Sequence, residues 1–133
     1  MKFLLDTNIC IGITRNTLPK TIARVAHVRR EDLFLCSVVR YELVFGIERC
    51  AQPAEETRRV ERLWQRFPLL EFDDNCADEA ARIRAHLQSK GNIIGAYDIQ
   101  IAAIARFHNV VLLTHDVDDF SRVPNLQLAD WEA

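Results

Sequence analysis

The sequence predicts a three-layer α/β/α sandwich on a short parallel central sheet. Three observations predict it. Short apolar runs recur along the chain, each too short for a helix and bounded by polar or turn residues. The clearest of them, Val110 to Leu113, is continuous rather than alternating, as in strands buried on both faces. Segments of helical period separate the runs, which is the order of strand–helix–strand units with right-handed crossovers. With 133 residues and 49% hydrophobic content, residues 1–133 have the size of one domain with its own core.

The first run, Lys2 to Leu5, is a short buried strand, and Thr7 to about Arg15 forms a short helix broken by Asn16, Thr17 and Pro19. Pro19 suits the first turn of a second helix, Leu18 to Val28, whose Ile22, Val25 and Ala26 fall at helical spacing. Leu33 to Cys36 is the second strand. Ser37 is a good N-cap for a helix from Val38 to Cys50, in which Gly46 gives room to a close neighbour. Pro53, Glu55 and Glu56 open the next helix with acid in its first turn, Val60, Leu63, Trp64 and Phe67 form its apolar stripe, and Pro68 ends it. Leu69 to Phe72 is a third strand. Asp74 or Asn75 caps a helix from Cys76 to Lys90, stopped by Gly91. The loop GNIIG feeds a strongly apolar helix from Ala96 to His108, and Asn109 closes it in the left-handed conformation. After Val110 to Leu113 comes the acidic segment THDVDDF, and Leu126 to Leu128 is a last short strand.

Composition narrows the function. The net charge of −2 is not the basic balance of a typical nucleic-acid binder, although 14 of the 17 basic residues are arginine, which pairs with phosphates bidentately. The cysteines Cys10, Cys36, Cys50 and Cys76 lack zinc spacing and read as reduced thiols in a cytoplasm. Asp6 interrupts the N-terminal apolar stretch, so no signal peptide is expected, and no apolar run approaches the roughly 18 residues that span a membrane.

The acids carry the chemistry. Asp6 follows the first strand directly, Glu42 lies one turn into the helix after the second, Asp98 opens a helix, and Asp116 follows the fourth strand. In a parallel sheet, strand ends on one edge line a single crevice. Each acid also has a plain structural role: a cap for Asp6, a solvated helix position for Glu42, a first-turn acid for Asp98 and an acidic turn for Asp116, Asp118 and Asp119. Gathered together, they would repel one another unless a divalent cation joined them. An all-oxygen set without His or Cys suits Mg²⁺ or Mn²⁺, and the chemistry that follows is phosphodiester hydrolysis. His115 next to Asp116 is expected to point away into solvent.

These segments resemble the PIN-domain proteins, and more narrowly the VapC-type toxins of VapBC toxin–antitoxin modules. LLDTNICI resembles their opening motif, CSVVRYELVFGIE the second, IGAYDIQIAAIA the third, and VVLLTHDVDDFSRVPNLQLADW the fourth with the C-terminal signature. The resemblance implies a Mg²⁺- or Mn²⁺-dependent endoribonuclease of PIN fold. Its acidic quartet falls on Asp6, Glu42, Asp98 and Asp116, with Asp6, Asp98 and Asp116 as metal ligands and Glu42 holding a water or taking its proton. Thr7, Asn8, Ser37 and Thr114 match the polar residues that orient the quartet. Many relatives have Asn where Asp116 stands and an acid where Asp119 stands, so either residue qualifies as the fourth acid. The resemblance further implies a homodimer, a VapB-type antitoxin that holds it inactive in a higher assembly, and a structured RNA such as transfer RNA as substrate. Arg15 and Arg40 are candidates to hold that RNA. Two other readings fit part of the pattern. One is a PIN-like module that grips RNA or a partner without cutting. The other is an aspartyl-phosphate phosphatase built on Asp6, which lacks the expected second acid, because Asn8 stands there.

Overall fold

The computed structural model describes residues 1–133 throughout. Five parallel strands, β1 (Phe3–Leu5), β2 (Leu33–Cys36), β3 (Leu69–Leu70), β4 (Val111–Leu113) and β5 (Leu128–Ala129), lie in the order β3-β2-β1-β4-β5. Seven helices connect and cover them: α1 (Thr7–Thr14), α2 (Pro19–Val25), α3 (Ser37–Arg49), α4 (Pro53–Trp64), α5 (Asp74–Ser89), α6 (Ala96–His108) and α7 (Val117–Phe120). A single 3-10 turn at Arg30–Asp32 leads into β2. This is the three-layer α/β/α plan.

The strand order places the site. The chain steps outward from β1 through β2 to β3, then returns to lay β4 on the other side of β1. The order therefore reverses between β1 and β4, and a crevice opens beyond their carboxyl ends at such a switch point. Asp6 and Thr114 stand there, and the Asp6 N–H extends the ladder by donating to the Leu113 carbonyl at 3.0 Å. The strands beneath are rigid for their length, because Leu4, Leu5, Leu112 and Leu113 are fully buried. Around the sheet, α1, α3 and α4 pack on one another, and α5 packs along α6. Arg106 of α6 joins the latter pair through Glu79 at 3.1 Å.

The C-terminus is tied back to the body. Glu132 accepts from the N–H and hydroxyl of buried Thr21, both at 2.9 Å, and so satisfies the start of α2. Trp131 packs edge-on against Phe3 at 4.8 Å, with the Arg24 guanidinium over its ring.

Several local expectations are corrected. Ser37 is the first residue of α3 rather than its cap; Cys36 holds the capping position without a side-chain bond, and the Ser37 hydroxyl instead accepts from Phe72 N–H at 3.3 Å. Asp73, one residue earlier than expected, caps α5 by accepting from Cys76 N–H at 3.0 Å. A Cβ on Gly46 would meet nothing within 4 Å, so the crowded glycine is Gly12, where a Cβ would stand 2.2 Å from Leu18 Cδ1. The last strand lies at Leu128–Ala129, two residues beyond the expected start, because only there does the chain reach Leu112 and Leu113 in register. Asn109 adopts the left-handed conformation, φ 55°, as expected of a residue closing α6.

Candidate active site

Asp6 is an acid committed to burial, with 4% of its surface exposed. Its extended backbone makes it the N-cap of α1, and Oδ1 accepts from Thr7 N–H at 2.7 Å. Oδ2 accepts from the hydroxyl of Thr114, itself fully buried, at 2.8 Å. That hydroxyl in turn accepts from Asp116 N–H at 3.0 Å. One oxygen atom thus links the end of β1 to the turn after β4. Thr7 repeats the device on the other side, its hydroxyl donating to Glu42 Oε1 at 2.7 Å and tying α1 to α3.

Beyond Asp6 lies a second group of acids. Asp98 sits in the first turn of α6. Asp116 caps α7 by accepting from Asp119 N–H at 3.4 Å. One carboxylate oxygen each from Asp98, Asp116 and Asp119 lie within 4.8 Å of one another, all partly buried. Asp6 stands outside this tight triad. Asp119 stands inside it because α7 turns its side chain back toward Asp116, with Arg122 at 3.6 Å on its outer side. This short helix is formed by the stretch that reads in the sequence as a plain acidic turn.

The electrostatics are those of an over-acidic pocket. Desolvation first, then the charges of Asp6, Glu42, Asp116 and Asp119, push the Asp98 carboxyl up to about 6. Burial also raises Asp6, against the hydrogen bonds from Thr114 and Thr7, and the charges of Glu42 and Asp116 raise it further. Every donor in the group is a carboxylate oxygen, so the set fits a hard divalent cation, whose charge would relieve that repulsion.

The other candidates lie around this centre. Asn8 is exposed on α1, and Ser37 bonds toward Phe72 rather than to an acid. His115 is exposed and its Nδ1 pairs with Asp130 Oδ2 at 2.9 Å, directed away from the acids. Arg40 is held by Glu61 at 2.6 Å and lies over the Trp64 ring, while Arg15 is half-exposed and 3.9 Å from Glu56. The two thiols near Asp6 offer no nucleophile, since burial pushes Cys36 up to about 12 and Cys10 well above its usual value. No helix is long and apolar enough to cross a membrane. A feature hidden from sequence reasoning is the pair Tyr41 and Tyr97, whose hydroxyls meet at 3.1 Å across α3 and α6. Each looks like an ordinary helix-surface residue until the two helices are brought together.

Comparison with known proteins places the fold in a family. Residues 3–126 match the PIN domain family. The chain is 32% identical over 131 residues to the tRNA(fMet)-specific endonuclease VapC of Salmonella typhimurium, covering 98% of each chain. It superposes with a TM-score of 0.92 on a chain of the DNA-bound VapBC complex from that organism, at 32% identity and 98% coverage of both. A chain of VapBC2 from Rickettsia felis, bound to a promoter DNA fragment, also gives 0.92, at 26% identity and 98% and 99% coverage. A buried strand-end acid, a carboxylate cluster at the sheet's switch point and likeness along nearly the whole chain lead to one assignment: the chain belongs to the PIN-domain family, within its VapC ribonucleases.

Proposed function

We propose that this protein is the toxin of a type II toxin–antitoxin pair, a Mg²⁺- or Mn²⁺-dependent endoribonuclease that hydrolyses a structured RNA of the transfer RNA class. The observation that carries the metal dependence is the triad of carboxylate oxygens within 4.8 Å, with Asp98 pushed up to about 6 by burial first and by the neighbouring acids second. Asp98, Asp116 and Asp119 would hold the ion, and Asp6 supplies further negative charge from beneath. A bound Mg²⁺ or Mn²⁺ would acidify water and offset charge on the transferring phosphoryl group. Glu42, held by the Thr7 hydroxyl, would order the attacking water and accept its proton. Thr114 holds Asp6 and the Asp116 backbone in register. Transfer RNA as substrate is supported by the name of the Salmonella relative, and a VapB-type antitoxin as partner by the VapBC complexes. On this reading, residues 1–133 act as one PIN domain of a cytoplasmic homodimer, in keeping with the free cysteines.

The test uses purified protein freed of antitoxin, incubated with total RNA. With Mg²⁺ or Mn²⁺, discrete fragments are expected, with a transfer RNA among the cut species. Chelator, Asp98→Asn and Asp6→Asn should each abolish them. Cleavage that survives chelator or either substitution overturns the mechanism.

A further inference from the structure

Tyr41 and Tyr97 are large aromatic side chains left 57% and 43% exposed. Their ring centroids lie 5.1 Å apart with planes inclined at 43°, and the bond between their hydroxyls fixes the pair. Tyr41 directly precedes Glu42 on α3, and Tyr97 directly precedes Asp98 on α6. The tyrosines therefore bridge the same two helices that bring those acids together. Ser37, Val38, Tyr41, Tyr97 and Gln100 line a shallow recess of about 290 Å³ beside them.

We propose that Tyr41 and Tyr97 form a stacking platform for an unpaired base next to the phosphate that is cut. This rests on the nuclease function proposed above and deepens it, because it requires the RNA to be single-stranded or looped out at the cut. Tyr41 and Tyr97 each stand one residue from an acid of the site, so a phosphate held at Glu42 and Asp98 would leave its neighbouring base within reach of the pair. Base–aromatic stacking tolerates sequence, since every base has a π-face. The Gln100 amide at the edge of the recess can both donate and accept, which suits a base edge better than an apolar partner. Locking two rings beforehand also lowers the entropy lost on binding. Tyr41 and Tyr97 are substrate-positioning residues here and take no part in proton transfer.

The experiment measures cleavage of a labelled single-stranded oligoribonucleotide that the wild-type protein cuts. Tyr41→Leu/Tyr97→Leu, which keeps apolar bulk but removes the π-faces, should raise KM by roughly tenfold or more, with kcat little changed. Tyr41→Phe/Tyr97→Phe keeps both π-faces but loses the bond that locks them, and should raise KM less than the leucine pair. In the wild-type protein, one abasic nucleotide beside the cut should reproduce the loss, and it should add nothing further in the leucine variant. Unchanged KM in a folded leucine variant overturns the platform, as does a wild-type protein indifferent to abasic sites at every position. The latter test needs no variant at all. A leucine defect confined to self-association or to antitoxin binding also overturns it, and assigns the pair to a protein interface. Failure of the nuclease function itself shows separately, as wild-type protein that leaves every RNA intact with either metal.

Discussion

Thr114 decides more of the site than any acid, because one hydroxyl serves two partners. It donates to Asp6 and accepts from Asp116 N–H, and it is fully buried. Thr114→Val keeps the shape and removes both bonds. It leaves a buried carboxylate oxygen short of a donor and a backbone N–H short of an acceptor, at an expected cost of about 1–3 kcal/mol. Thr114→Ser keeps the hydroxyl and should recover most of that stability, and urea unfolding of the two variants checks the difference. A valine variant as stable as wild type would show that the hydroxyl link contributes nothing. Asp6 and Asp116 are legible in the sequence because each follows a buried apolar run, a place where an acid needs a reason. The Thr7–Glu42 bond is not legible, since it joins residues 35 apart through the packing of α1 on α3. Asp119 is legible only as an alternative to Asp116, because four residues of α7 are too few to show a helical period.

At the scale of elements, two glycines that look alike in sequence behave oppositely. Both lie inside helices, where Ala is favoured over Gly by up to about 1 kcal/mol. Gly46 faces open space on α3, so Gly46→Ala should raise the melting temperature. Gly12 of α1 is pressed against Leu18, with a new Cβ only 2.2 Å from Cδ1 and 2.4 Å from Cγ. Overpacking of about 1–3 kcal/mol outweighs the propensity gain there, and Gly12→Ala should lower the melting temperature. Shifts of the same sign in both variants would contradict this account. The strands and the longer helices are readable because apolar runs and helical periods persist over several residues. Their ends are less so. Cys36 rather than Ser37 takes the capping place of α3, since the Ser37 backbone is already helical. In NLQLAD the alternation suits several registers, and only pairing with β4 selects Leu128–Ala129.

The whole molecule carries the electrostatic cost of its site when no cation offsets it. Asp98 titrates near 6 in the folded chain, against 3.8 for a free aspartate, and Asp6 is shifted the same way. The folded state therefore holds protons more tightly than the unfolded chain. The stabilisation this gives is complete below the unfolded value and disappears as pH rises through the folded one. Acids with lowered values, Asp73, Glu79, Asp130 and Glu132, act in the opposite sense, but their contribution fades only below the ordinary carboxylate range. Between about pH 4.5 and pH 7 the raised group dominates, so chelator-treated protein should lose thermal stability as pH rises across that window. Asp98→Asn removes the charge that must be desolvated, so its melting temperature should exceed that of wild type at pH 7 and change less with pH. Mg²⁺ or Mn²⁺ stabilises only what binds it, by about 2.7 kcal/mol at a hundred times its dissociation constant. Added metal should therefore raise the wild-type melting temperature at pH 7 and do little for Asp98→Asn. A chelated wild-type protein with a flat pH profile, or an Asp98→Asn variant stabilised by metal as strongly as wild type, would show that Asp98 neither bears the repulsion nor helps hold the ion.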